Sequence, residues 1–140
     1  MKKILIDSGP LIALFDSSDK HHAASIEFIR NNPYPLVTTL ATITEVLHLI
    51  DFDRNAQIDF IDWVRRGGVE IHSIENADLE RIQELTVKYR DRPMDFADSC
   101  LVLLAERLGI HSIATIDRDF TVYRINGRQK FKILLGPNRT

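Results

Sequence analysis

The feature that most restricts what this chain can fold into is an alternation between two kinds of apolar segment. Runs at residues 3–6, 36–38, 69–71 and 112–116 are apolar but too short for helices, and longer stretches with helical spacing of apolar residues separate them. Such an alternation is the βαβ rhythm of a parallel sheet with helical crossovers. The first and fourth runs are apolar without interruption, as strands covered on both faces are. A late run at 131–135 adds an edge strand. The expected fold class is therefore α/β: a central parallel sheet flanked by helices on both faces.

Boundary signals divide the helical stretches. Gly9-Pro10 opens a short helix with proline in its first turn. Asp19 is placed to N-cap a helix through Ile26 and Ile29. Two helices follow the second strand, one carrying Ile43, Val46, Leu47 and Ile50, the next starting near Asn55 and ending at Gly67-Gly68. That second helix has Ile58, Ile61 and Val64 on one face and Phe60 with Trp63 on another, so its second apolar face needs cover. Further helices are expected over 77–89 and 95–108, the last stopped by Gly109. Repeats, low-complexity tracts and Pro/Gly/Ser-rich linkers are all missing, and 140 residues suit a single domain spanning 1–140.

Composition narrows the setting more than the chemistry. One cysteine, Cys100, rules out an internal disulfide framework, and a reduced cytoplasmic protein is expected. No apolar stretch has the length of a membrane span. The net charge of -2 gives no field that by itself calls for nucleic acid. Beyond Asp117, however, Arg118, Arg124, Arg128, Lys130, Lys132 and Arg139 face only Asp119, a cationic stretch that can meet phosphates or simply be solvated. Lys88, Arg90 and Arg92, just before the last long helix, carry the same two readings.

The acids carry the functional argument. Asp7 and Asp117 are each expected as the last residue of a buried strand, and in open α/β sheets ligands gather outside the carboxyl ends of the strands. Each also has a structural reading, Asp7 as a helix N-cap and Asp117 as the start of a turn. Asp95 and Asp98 lie three apart at the start of a helix announced by Arg92-Pro93, where N-cap and first-turn acids are favoured electrostatically. Glu45 is placed to act as the acid of a capping box with Thr42. Together, four acids in apolar surroundings are expensive to bury without a compensating cation. An all-oxygen donor set selects Mg²⁺ or Mn²⁺ over zinc. A divalent ion held this way activates water and stabilises charge on phosphorus, so phosphodiester hydrolysis is the reaction class indicated.

Four motifs in order carry a resemblance: residues 4–14 (Ile-Leu-Ile-Asp-Ser-Gly-Pro-Leu-Ile-Ala-Leu), Thr44-Glu45-Val46, Phe96-Ala97-Asp98-Ser99 and Thr115-Ile116-Asp117-Arg118-Asp119-Phe120. The set resembles that of PIN-domain nucleases, and in particular the VapC-type toxins of prokaryotic toxin-antitoxin pairs. The resemblance implies a PIN-like fold and a metal-dependent endoribonuclease with RNA as substrate. It implies Asp7 and Asp98 as principal metal ligands, with Glu45 and Asp117 completing the acidic pocket and Ser8, Asp95 and Asp119 as accessory residues. Many members have Asp-Thr-Asn where this chain has Asp7-Ser8-Gly9, which keeps a hydroxyl but lacks the amide. The partners implied are a cognate antitoxin, whose helix would fill an apolar groove, and a second copy in a homodimer, for which Phe60 and Trp63 offer a face.

Two other classes are weighed against this. A non-catalytic PIN-fold RNA- or protein-binding module fits poorly with an intact acid set, while an RNA-processing nuclease without an antitoxin shares every motif. A phosphatase or phospho-receiver also places aspartate at a strand end, but Asp7-Ser8-Gly9 lacks the second aspartate of a D-x-D phosphatase. The five histidines, His21, His22, His48, His72 and His111, are scattered, and Cys100 sits where a core residue is expected.

Overall fold

In the computed structural model, which describes residues 2–135, five strands form one parallel sheet. They are β1 (Ile4–Ile6), β2 (Leu36–Thr38), β3 (Glu70–Ile71), β4 (Ser112–Ala114) and β7 (Lys132–Leu134), in the spatial order β3-β2-β1-β4-β7. A separate antiparallel hairpin pairs β5 (Arg124–Ile125) with β6 (Gln129–Lys130). Six helices connect them: α1 (Ser8–Phe15), α2 (His22–Asn31), α3 (Leu40–Leu49), α4 (Arg54–Arg65), α5 (Leu79–Lys88) and α6 (Phe96–Leu108). Among the described residues no helix is long and apolar enough to cross a membrane.

The two-residue period of the strands assigns their side chains to two cores. Leu5, Val37, Ile113 and Ile133 cluster with Leu85 of α5, Tyr89 just after it, and Leu101, Val102 and Leu104 of α6. Ile4, Ile6, Leu36 and Ala114 cluster with Leu11 of α1, Val46 of α3 and Phe60 of α4. The central strand β1 contributes to both, so it is covered on each face, as its uninterrupted apolar sequence requires. Parallel pairing aligns the carboxyl ends of β1, β2 and β4 along one rim, the rim from which α1, α3 and the turn after β4 depart. Gly109 ends α6 in the left-handed conformation, φ 67°, which turns the chain directly into β4.

Five expectations change. The fourth strand stops at Ala114, so Asp117 is not its last residue but the N-cap of a 3-10 turn over Arg118–Thr121. The Thr115 N–H still bonds the Leu134 carbonyl at 3.2 Å, and its hydroxyl accepts from the Asp117 N–H, which turns the chain after it. The second helix starts at His22 with His21 as N-cap, and Asp19 instead accepts from the His21 N–H at 2.8 Å, capping the turn before it. Helix α3 starts at Leu40 after Thr39, which puts Glu45 in its second turn and excludes the capping box with Thr42. On α4 the two faces are reversed. Phe60 is fully buried, its ring 5.4 Å from that of Phe15, and Trp63 is 5.6 Å from Phe15, while Ile58 and Ile61 are 56% and 52% exposed. Phe60 and Trp63 therefore offer no dimer face, because α1 supplies their cover. Finally, the cationic stretch does not gather on the rim: Lys132 lies at the amino end of β7, Arg124, Arg128 and Lys130 belong to the hairpin, and Arg139 lies outside the described residues.

Candidate metal centre

Each acid on the rim is fixed by the local structure its own sequence specifies. Asp7 follows β1 directly and N-caps α1, its Oδ1 accepting from the Ser8 N–H at 2.8 Å. Its Oδ2 accepts from the Thr115 hydroxyl at 3.0 Å. The same Thr115 oxygen accepts from the Asp117 N–H at 3.0 Å, so one hydroxyl ties the end of β1 to the turn after β4. Asp117 in turn accepts from the Asp119 N–H at 2.8 Å. Asp98 enters from the first turn of α6. Its backbone N–H donates to Asp95 Oδ1 at 2.9 Å, so Asp95 is the N-cap, and its own Oδ2 accepts from the buried Tyr123 hydroxyl at 2.9 Å.

Asp7, Asp98 and Asp117 thus arrive from three separate elements, and each offers a carboxylate oxygen within 4.8 Å of the other two. Adjacent ligands of an octahedral Mg²⁺ stand about 3 Å apart and opposite ones about 4 Å, so the three oxygens would draw inward to close on one ion. Asp7 and Asp98 are 4% and 6% exposed, whereas Asp117 is open to solvent. Among the described residues, no lysine or arginine forms an ion pair with any of the three. A donor set that is hard, anionic, partly buried and uncompensated fits a divalent cation.

The electrostatics show the same deficit. Burial pushes the Asp98 carboxyl up to about 9, the charges of Asp7, Asp95 and Asp117 add to the rise, and the Tyr123 hydrogen bond opposes it. Burial likewise raises Asp7 to about 7, against the Ser8 and Thr115 hydrogen bonds and with help from Asp117 and Glu45. Asp119 is held above its ordinary value first by burial and then by Asp117, with Arg92 acting in the opposite sense. Without a cation, burial thus favours the protonated form of the Asp98 carboxyl at neutral pH.

The remaining expected residues fall around this triad. Glu45, half-buried on α3, lies outside the close trio, but its Oε1 accepts a short hydrogen bond from the Ser8 hydroxyl, and its charge acts on Asp7. Asp95 and Asp119 touch the cluster through the backbone N–H bonds just described. Two residues were not singled out by sequence. Thr115 stands inside the fourth motif, and its hydroxyl beside an expected aspartate was the available signal. Tyr123 gave none, since only tertiary packing brings it to Asp98, 25 positions away. Cys100 is fully buried, as expected of a core residue.

Comparison with known proteins places this geometry. The chain is 28% identical over 134 residues to "Ribonuclease VapC26" of Mycobacterium tuberculosis, an alignment that covers 94% of this chain and 99% of that protein. The fold is similar to the crystal structure of Mycobacterium tuberculosis VapC20, described as a sarcin-ricin-loop-cleaving toxin. The TM-score is 0.77 at 20% identity, with 85% of this chain and 93% of that one covered. The family model described as PIN domain matches residues 4–126, a span holding all the acids of the cluster, and the chain belongs to the PIN domain family.

Proposed function

We propose that this protein is a metal-dependent endoribonuclease that hydrolyses RNA phosphodiester bonds, that it acts as a single PIN domain over residues 1–140, and that it is the toxin of a type II toxin-antitoxin pair. The observation that carries the reading is the convergence of Asp7, Asp98 and Asp117 without a balancing cation. Its likeness over nearly full length to a protein named a ribonuclease supports RNA as substrate.

In this reading Asp7 and Asp98 hold Mg²⁺ or Mn²⁺, with Asp117 and Glu45 completing the pocket. The ion, when bound, supplies Lewis acidity at the phosphate and activation of the attacking water. The chain's own groups orient its ligands. Thr115 fixes one oxygen of Asp7 and the Ser8 N–H fixes the other, while the Tyr123 hydroxyl donates to Asp98 Oδ2 and fixes that carboxylate. Glu45 binds the Ser8 proton through Oε1, and its second oxygen is the acceptor available to a proton from water. Asp95 and Asp119 shape the negative field without entering the trio.

The protein partners in this reading are a cognate antitoxin and a second copy in a homodimer, in the cytoplasm. Leu49, Phe52, Ile58 and Ile61, exposed apolar residues at the end of α3, on α4 and at their junction, are the surface they would cover. Cleavage of RNA should require Mg²⁺ or Mn²⁺, stop in chelator, and fall at least a hundredfold in Asp7→Asn and in Asp98→Asn with the fold intact, by analogy with loss of other essential catalytic groups. Equal activity in Asp98→Asn and wild type would place the chemistry elsewhere.

A further inference from the structure

The hairpin β5–β6 brings together cations that no carboxylate balances at ion-pair distance. Asn126 and Gly127 both have positive φ, 53° and 73°, as a type I′ turn requires, and the Arg128 N–H closes the turn on the Ile125 carbonyl at 3.1 Å. The resulting register sets Arg124 directly opposite Lys130. Residues opposite one another in an antiparallel pair share a face, and like charges there repel. Ile125, the alternate residue, is the buried one; Lys130 is exposed, while Arg124 is half-buried and its guanidinium donates to the Thr121, Val122 and Tyr123 carbonyls.

Cations from a second segment join them. The Arg124 N–H donates to the Tyr89 hydroxyl at 3.0 Å, which seats the hairpin against the end of α5. There the Lys88 ammonium lies 3.8 Å from where a Cβ on Gly127 would stand. Toward the acidic rim, Arg92 acts on Asp119, and Arg118 immediately follows Asp117. Among the described residues none of Lys88, Arg92, Arg118, Arg124, Arg128 and Lys130 has a carboxylate within ion-pair distance. Glu106 reaches the hairpin at the Asn126 N–H and feels the charge of Lys88, but both its oxygens are engaged by Arg81 at 2.9 Å. A chain with a net charge of -2 thus keeps five cations besides the carbonyl-bound Arg124 without a carboxylate partner, on the hairpin and the segments between it and the acid cluster.

We infer that this flank is the track along which the phosphate backbone of single-stranded RNA leaves the acid cluster, running past Arg118 and Arg92 onto the hairpin. The inference rests on the ribonuclease reading for its substrate and on the hairpin register for its place. A phosphate chain supplies what the strip lacks, repeated negative charge at a spacing that several cations can meet, and each neutralised phosphate releases counterions. Sequence preference is not expected from this contact, since only the backbone is held.

The test compares wild type with Lys88→Gln/Arg128→Gln/Lys130→Gln, three exposed positions outside the catalytic machinery. A control, Lys20→Gln/Arg30→Gln/Arg54→Gln, removes the same charge from exposed positions near and on α2 and α4. Binding of a labelled RNA single strand of about twelve nucleotides is followed by fluorescence anisotropy in chelator at a series of salt concentrations. The strip variant should bind at least about tenfold more weakly, with a log-log salt slope reduced by about two, close to three single-strand phosphate contacts at about 0.7 each. The control should change far less. In Mg²⁺ the strip variant should raise KM on the same RNA and leave kcat unchanged. Equal losses in the two variants, an unchanged salt slope, or binding of a poly-glutamate peptide in preference to RNA would overturn the track. Those outcomes leave cleavage by wild type intact, whereas RNA bound along the strip but never cut would retain the track and remove the nuclease.

Discussion

Replacing Asp98 by asparagine should change how the stability of the metal-free protein depends on pH. The carboxyl of Asp98 is raised from 3.8 to about 9, so the folded state keeps a proton that the unfolded chain has already released. A group raised on folding stabilises least where the unfolded form is ionised, and stability therefore falls as pH rises between those two values. Each pH unit in that window costs about 1.4 kcal/mol per proton, so Asp98 alone should remove about 3 kcal/mol between about pH 5.5 and pH 7.5. Asp7, raised to about 7, adds a further decline that ends near neutrality and is common to both proteins. Asp62 and Glu70, held below their ordinary values by Arg65 and Lys3, act in the opposite sense but only at more acid pH. In Asp98→Asn the amide oxygen can still accept from Tyr123, so packing is conserved while ionisation is lost. Urea unfolding in EDTA at the two pH values should therefore show wild type losing about 3 kcal/mol more than the variant. Saturating Mn²⁺ should reverse the ranking near neutral pH, adding about 2.7 kcal/mol to wild type at a hundred times its dissociation constant and little to Asp98→Asn. Parallel pH dependences in chelator would refute the claim that a buried, uncompensated Asp98 carries this cost.

Two further outcomes follow from single contacts. Tyr123→Phe deletes only the hydroxyl that fixes Asp98 Oδ2, and should weaken Mn²⁺ binding about tenfold in a thermal-shift titration while the metal-free protein stays folded; undiminished affinity would show that the phenol does not orient the ligand. Phe60→Ala should destabilise by about 3–5 kcal/mol and Ile58→Ala by at most about 0.5 kcal/mol in urea unfolding, and similar losses would contradict the assignment of Phe60 to the core face of α4.

What the sequence made legible was whatever depends on neighbours along the chain. The uninterrupted run at β1 announced a strand buried on both faces, and Gly109 and Asp95 marked the ends of α6 through local backbone chemistry. Asp95 and Asp98, three apart, could be placed on one turn from spacing alone. The choice between two apolar faces on α4 was not local. Both satisfy helical periodicity, and only Phe15, arriving from α1, makes Phe60 and Trp63 the inner pair. The end of β4 was missed for a related reason. Thr115 and Ile116 suit a strand by propensity, yet the Thr115 hydroxyl takes the Asp117 N–H and gives its own proton to Asp7, diverting the chain into a turn.

That diversion links the site to the fold. A strand continued to residue 116 would carry Asp117 farther along the sheet axis. The turn that Thr115 starts holds Asp117 beside Asp7, at the junction of β1 and β4. The same side chain thus ends a strand, satisfies a buried carboxylate and sets the separation of two acids. The site gains its geometry at the expense of stability, because Asp7 and Asp98 are desolvated among like charges. The compensation is spread over the two cores packed on either face of the sheet, where Leu5, Ile6, Leu101 and Ile113 are fully buried. Each such side chain contributes about 1.5–3 kcal/mol, so two or three of them offset a strained acid cluster. A parallel sheet buried on both faces can carry buried acid at its carboxyl rim for this reason: its stability is held in the strands, and the rim is left free for chemistry.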